Sequence, residues 1–313
     1  LNTLKNQIKI YEKIKKFNKK IFVSGDKSLS IRCILLSSIA IGKSKIYNIL
    51  KSEDTFSALK AIKKLGVSYI FKKNYLEIYG VGINGFNNKN ITINAGNSGT
   101  LARCIIGLCS GNNQKIKLVG DKSLSKRDFS RIVEPIKLFG VNIKSNKNLL
   151  PLEFKGTNLL RPISYIENRG SAQIKTSIIL SALNTIGTTK IKAKKSRDHT
   201  EVLLKYLNYP IKIKKTKIYD IIEIKGLSNF KAFKYNVPGD ISSAAFFIVL
   251  TLLCISNAAA LLSNKLSLNA PVSPSNIRLI KNEFSRARRR QFVKDDFECE
   301  YRGKIAVKNR GEM

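Results

Sequence analysis

Apolar and polar positions follow one order three times along this chain. From Glu53 to Leu65 the spacing is that of an amphipathic helix. Gly66 stops it, and two short stretches of alternating apolar and polar residues come next, ending at Gly80. Residues 127–156 read the same way, with a helix from Arg127 to Phe139, then Gly140, paired strands and Gly156. Residues 197–226 give a helix from about Asp198 to Leu207, then Asn208, then strands to Gly226. Asn is the next best residue after Gly in the left-handed conformation that closes a helix, so positions 66, 140 and 208 are equivalent. Units recurring about every 70 residues are an internal repeat.

A second, more apolar kind of helix lies between these units, each opening from a loop of small and polar residues. The openings are Gly25-Asp26-Lys27-Ser28, Gly96-Asn97-Ser98-Gly99-Thr100, Gly170-Ser171-Ala172-Gln173 and Gly239-Asp240-Ile241-Ser242-Ser243. Ile21-Phe22-Val23 reads as the end of a strand leading into the first of them. Each repeat is therefore a βαβαββ unit in which an amphipathic helix covers a buried one, and the fold class is α/β. The uncharged run Ile241–Leu262 is long enough to span a bilayer, but Ser242, Ser243, Ser256 and Asn257 interrupt it. A buried helix of a soluble domain is the reading favoured over a membrane span.

Composition changes this picture in two places. With 313 residues, of which 43% are hydrophobic, the chain can hold a large core and two domains. The net charge of +36 suggests nucleic acid at first sight. Most of it is Lys spread over every segment, however, and binding needs a concentrated patch, so a diffuse compositional bias is favoured. Five cysteines without metal-ligand spacing and a single histidine argue against a metal site and suit a reducing cytosol. No apolar core of a signal peptide is visible near the N-terminus, so the expected location is cytoplasmic.

The helix openings carry the candidate chemistry. A helix N-terminus has unpaired amides and partial positive charge; with Lys27, the Ser28 hydroxyl and Arg32 beside it, the first opening suits a phosphate. An ordinary capped helix with solvated cations is the alternative for any one such loop. The phrase Gly25-Asp26-Lys27-Ser28-Leu29-Ser30 recurs letter for letter at 120–125, followed by Lys126-Arg127, and repetition favours a ligand, or ligand pair, with several anionic groups. Before residue 278 arginine occurs only at 32, 103, 127, 131, 161, 169 and 197, mostly in or beside these loops. Arg binds phosphate or carboxylate bidentately, a geometry Lys cannot reproduce.

Together GDKSLSIR (25–32), GNSGTLAR (96–103), GDKSLSKR (120–127), GSAQIKTSIILSAL (170–183), SRDHTE (196–201) and VPGDISSAAFF (237–247) resemble the 5-enolpyruvylshikimate-3-phosphate synthase family. They fall in the family's order and cover roughly residues 10–260. The resemblance implies an enolpyruvyl-transferase-like fold of three βαβαββ repeats about a pseudo-threefold axis. Residues 22–240 would form one complete domain, and 1–21 with 241–313 a partial second domain of the same type with a divergent basic tail. Lys27, Ser28, Arg32, Ser171, Ala172, Gln173 and Arg197 would contact shikimate 3-phosphate. Lys27, Asn97, Gly99, Arg127 and Gln173 would hold phosphoenolpyruvate, with Lys27 the catalytic candidate. The implied reaction adds the shikimate 5-hydroxyl to C2 of phosphoenolpyruvate and then expels phosphate, with no cofactor or metal, in a monomer. His199, the single histidine, reads as a structural hydrogen-bonding residue at a helix start.

After Phe247 the family's second-domain carboxylate, lysine and arginine motifs are not found, and arginine becomes frequent, as in Arg286-Ala287-Arg288-Arg289-Arg290. Turnover is therefore doubtful from the sequence. Two alternatives remain beside the enzyme: a UDP-N-acetylglucosamine enolpyruvyl transferase, whose Lys-Asn motif and loop cysteine are missing here, and a non-catalytic basic protein that binds anions or RNA.

Overall fold

The computed structural model describes residues 21–87 and 90–249. Residues 24–238 form one compact unit, and the flanking segments belong to another. In chain order the elements are α1 (Lys27–Ile39), β1 (Ile41–Tyr47), α2 (Glu53–Lys64), β2 (Ser68–Phe71), β3 (Tyr75–Val81), β4 (Ile91–Asn94), α3 (Gly99–Leu108) and β5 (Lys115–Val119). They continue with α4 (Lys122–Ser125), α5 (Ser130–Leu138), β6 (Asn142–Ser145), β7 (Leu152–Lys155), β8 (Ser164–Glu167), α6 (Ala172–Leu183) and β9 (Thr188–Lys194). Last come α7 (His199–Tyr206), β10 (Ile211–Lys215), β11 (Tyr219–Lys225) and β12 (Lys234–Asn236).

Three four-stranded sheets share one pattern, ordered β12-β1-β3-β2, β4-β5-β7-β6 and β8-β9-β11-β10. In each, the first pair is parallel and the next two are antiparallel. This is the expected threefold repeat, with one correction. Ile21–Val23 is not a strand. The leading position of the first sheet is filled by β12, which pairs in parallel with β1 from Lys45↔Lys234 to Tyr47↔Asn236. The chain closes its own ring, and the slot is taken by a segment remote in sequence.

The apolar helices are the core. Every residue of α1 from Leu29 to Ile39 is buried, as is every residue of α6 from Ile174 to Leu183, and α3 is buried except at Arg103. Each fully buried aliphatic side chain contributes about 1.5–3 kcal/mol, so these helices dominate the stability. The amphipathic helices α2, α5 and α7 bury one face only. Gly80, Gly156 and Gly226 let the last strand of each repeat pass under the C-terminal end of its buried helix. A Cβ there would lie 2.2 Å from the Ala40 carbonyl oxygen, 2.3 Å from that of Asn112 and 1.8 Å from that of Thr185. The stops at Gly66, Gly140 and Asn208 have φ of 94°, 103° and 54°, in the left-handed region.

A second correction concerns the helix read from Arg127. It begins at Ser130, because the Asp128 carboxylate accepts from the Ser130 amide at 2.8 Å and from its hydroxyl, turning the chain and leaving Arg127 in a break between α4 and α5. Residues 241–249 are helical, and none of them is buried, unlike the buried helix expected there. Residues 250–262, like residues 1–20 and the arginine-rich tail, lie outside the described residues. No helix among the described residues is long and apolar enough to cross a membrane.

Candidate active site

Repeat symmetry gives α1, α3 and α6 equivalent openings, and side-chain caps close each one. Asp26 Oδ1 accepts from the Leu29 amide at 2.7 Å, Ser98 Oγ from Leu101 at 3.3 Å and Ser171 Oγ from Ile174 at 3.4 Å. Glu167, a buried carboxylate, accepts from the amides of Arg169, Gly170 and Ser171 at 2.9, 2.9 and 3.1 Å and sets the loop ahead of α6. The amides of Lys27 and Ser28 in α1, and of Ala172 and Gln173 in α6, have no protein acceptor among the described residues. These are the donors a helix N-terminus offers an anion.

The first turns of α6 gather arginines from both other repeats. Arg32 is buried and donates from Nε to Thr200 Oγ1 at 2.9 Å, from Nη1 to the Ser28 carbonyl at 3.0 Å and from Nη2 to Thr176 Oγ1 at 2.8 Å. The two threonine hydroxyls bond each other at 2.7 Å. From α3, Arg103 Nη1 donates to Gln173 Oε1 at 2.7 Å, and Gln173 Nε2 donates to Thr100 Oγ1 at 3.1 Å. Arg127 Nη2 donates to Asn97 Oδ1 at 3.0 Å, and a Cβ on Gly99 would lie 3.1 Å from Arg127 Nη1. Asn97, Gly99, Arg127 and Gln173 are thus joined through Arg103 and Thr100.

Lys27 stands at the exposed opening of α1, where its Nζ lies 3.3 Å from Asp54 Oδ2. Arg197 is exposed just before α7. Its charge, with that of Arg32, acts on His199, and burial is the larger effect: together they lower the imidazole to about 4, so it is neutral at neutral pH. His199 Nδ1 is buried without a hydrogen-bond partner, where a hydrogen-bonding residue was expected. Beneath Thr176 and Thr200 the next residues form a buried ion pair, Lys175 Nζ to Glu201 Oε1 at 2.6 Å. Burial raises the Glu201 carboxyl pKa and Lys175 opposes that rise.

Sequence reading missed Arg103, Thr100, Thr176, Thr200, Glu167 and the Lys175–Glu201 pair as parts of this site. A signal for Arg103 was present. Ser28 to Arg32 and Gly99 to Arg103 have the same spacing of four, and each guanidinium folds back on the carbonyl four residues earlier. Cys33, Cys104 and Cys109 are buried free thiols whose pKa values burial raises, so they are inert. No group of His, Cys, Asp and Glu among the described residues could hold a metal ion.

Three repeats of one βαβαββ plan, with buried helices opening on cationic and hydroxyl side chains, define an enolpyruvyl-transferase-like fold. The family model for EPSP synthase (3-phosphoshikimate 1-carboxyvinyltransferase) matches residues 11–259, and the chain belongs to that family. It is 43% identical over 228 residues to the 3-phosphoshikimate 1-carboxyvinyltransferase of Ruthia magnifica subsp. Calyptogena magnifica, covering 72% of this chain and 52% of that one. To the protein of the same name from Streptococcus pyogenes it is 39% identical over 247 residues, covering 78% and 56%. The solved EPSP synthase of Acinetobacter baumannii superposes with a TM-score of 0.70 at 35% identity, covering 76% of this chain and 53% of that one. The chain spans about half the length of the curated relatives it matches.

Proposed function

We propose that residues 22–240 are a substrate-binding domain for shikimate 3-phosphate and that the chain serves enolpyruvyl transfer from phosphoenolpyruvate to the 5-hydroxyl of that substrate. Residues 1–21 and 241–313 belong, on this reading, to a partial second domain. The supporting observation is the first two turns of α6, where Gln173 and Thr176 receive Arg103 and Arg32 from the other two repeats beside unaccepted amides. Lys27, Ser28, Arg32, Ser171, Ala172, Gln173 and Arg197 take the phosphate and hydroxyls of shikimate 3-phosphate. Lys27, Asn97, Gly99, Arg127 and Gln173 take phosphoenolpyruvate.

In the reaction the 5-hydroxyl oxygen bonds to C2 of phosphoenolpyruvate, its proton leaves to a base, and C3 gains a proton. The tetrahedral adduct then loses a C3 proton and expels phosphate, leaving the enolpyruvyl ether. Fixed cations and amides balance two phosphates and a carboxylate without reorganising during the reaction. Lys27 is the proton-handling group of this half, its ammonium held at the helix opening by Asp54. The setting is the cytoplasm, with the chain as a monomer and no cofactor.

The test is to mix the purified 313-residue chain with both substrates and measure inorganic phosphate, with calorimetry for shikimate 3-phosphate alone. Binding together with phosphate release is the expected result. Binding without release marks a non-catalytic anion-binding half, and absence of both overturns the assignment.

A further inference from the structure

Arg103 is the charged side chain at the centre of the site that the proposed chemistry leaves unused. Its guanidinium lies over the Phe129 ring at 5.3 Å from the centroid and folds back on the Gly99 carbonyl at 3.4 Å. From there Nη1 reaches Gln173 Oε1 at 2.7 Å. A guanidinium has donors and no acceptor, so the carboxamide oxygen of Gln173 must be the atom that faces it. The amide nitrogen then faces the other way, where it donates to Thr100 Oγ1 at 3.1 Å. Nε2 carries two protons, and the second has no protein acceptor among the described residues.

We propose that Arg103 is a positioning residue that locks the Gln173 carboxamide with its N–H free, making Gln173 a donor to an anionic oxygen of the ligand. This rests on the substrate-binding reading given above. A carboxamide flipped by half a turn would aim oxygen lone pairs at the same anion and repel it. Room for the lock depends on Gly99, where a Cβ would lie 2.9 Å from Arg103 Nη1. Lysine cannot replace it, because one ammonium cannot stack on Phe129 while donating in the same plane to Gly99 and Gln173.

Two readouts on the 313-residue chain test this, one of them independent of ligand. The first is the side-chain NH2 resonance pair of Gln173 by nitrogen-resolved NMR. Arg103→Met and Arg103→Lys are expected to shift the pair towards the positions of a free glutamine carboxamide, or to broaden it, as the carboxamide begins to reorient; an unchanged pair in Arg103→Met overturns the proposal. The second is calorimetric affinity for shikimate 3-phosphate and for phosphoenolpyruvate. Arg103→Lys keeps the charge and is expected to lose about tenfold in affinity, the worth of one charge-assisted hydrogen bond. Full affinity in Arg103→Lys would mean that charge alone matters, which also overturns the proposal. Gln173→Glu keeps an acceptor for Arg103 and its thermal midpoint, yet is expected to lose about a hundredfold because a donor has become an anion. A parent chain that binds neither substrate while its Gln173 resonances respond to Arg103 would sink the substrate assignment and uphold the locking role.

Discussion

Residues 25–30 and 120–125 are the same six amino acids in the same order, and in both the next residue but one is arginine. Their first turns agree to the bond. Asp26 and Asp121 each accept from the leucine amide three residues on at 2.7 Å, and their carbonyls accept from Ser30 and Ser125 at 2.9 Å. Leu29 and Leu124 are both buried. From there the copies part: α1 runs for 13 residues and α4 for 4. The residue between the word and its arginine is Ile31 in the first, fully buried, and Lys126 in the second, exposed. Arg32 is drawn into the interior onto three protein acceptors, while Arg127 stays half-buried with Asn97. A capping word fixes one turn; the residue after it, and the groups packed on it, fix the role of its arginine.

The sharpest way to break this comparison is Ile31→Lys, which makes the two eight-residue stretches identical. It places an unpaired charge in the core and is expected to cost about 4 kcal/mol or more in urea unfolding, if the variant folds at all. Next comes the arginine pair. Arg32→Ala strips three hydrogen bonds from a buried site and is expected to destabilise by about 2–3 kcal/mol, against less than about 1 kcal/mol for Arg127→Ala. Equal losses would mean the two positions are equivalent after all.

Arg32 also leaves a mark on pH dependence that Arg127 lacks. Burial and Arg32 hold His199 near 4 in the folded chain, below the ordinary 6.5. The unfolded chain binds the proton first, so this contribution to stability is complete above pH 6.5 and is lost as pH falls towards 4. Thermal midpoints over that range should fall less steeply in His199→Gln, and NMR titration of the ring checks the value directly. The caps should behave alike: Asp26→Ala and Asp121→Ala are each expected to cost about 1 kcal/mol, with a large inequality counting against a purely local word. Smallest of all, Lys126→Ile should change stability by under about 0.5 kcal/mol and leave α4 short, since Asp128 still turns the chain at Ser130; circular dichroism showing added helix would contradict this.

Much of the fold was legible because its signals are local. Gly66, Gly140 and Asn208 close helices through their own backbone, and the buried helices advertise themselves by composition. The leading strand of the first sheet was not legible. Three residues at 21–23 and three at 234–236 look alike to any short window, and only ring closure chooses between them. Of the candidate site residues, Lys27, Arg32, Gln173 and Arg127 are singled out by their loops. Thr176 and Thr200 could not be, because a hydroxyl gains a role only from the partner that meets it across the core; Glu167 bonds amides only two to four residues on, but no residue pattern singles it out.

By itself the sequence determined the repeat, its element order, the capped turns and the family, since each is written in spacing and in side-chain chemistry within a few residues. Tertiary structure alone decided which arginine is drawn onto protein acceptors in the interior and which way the Gln173 amide points. Those outcomes depend on groups some 70 to 170 residues apart meeting in a medium where an unpaired charge or donor is costly.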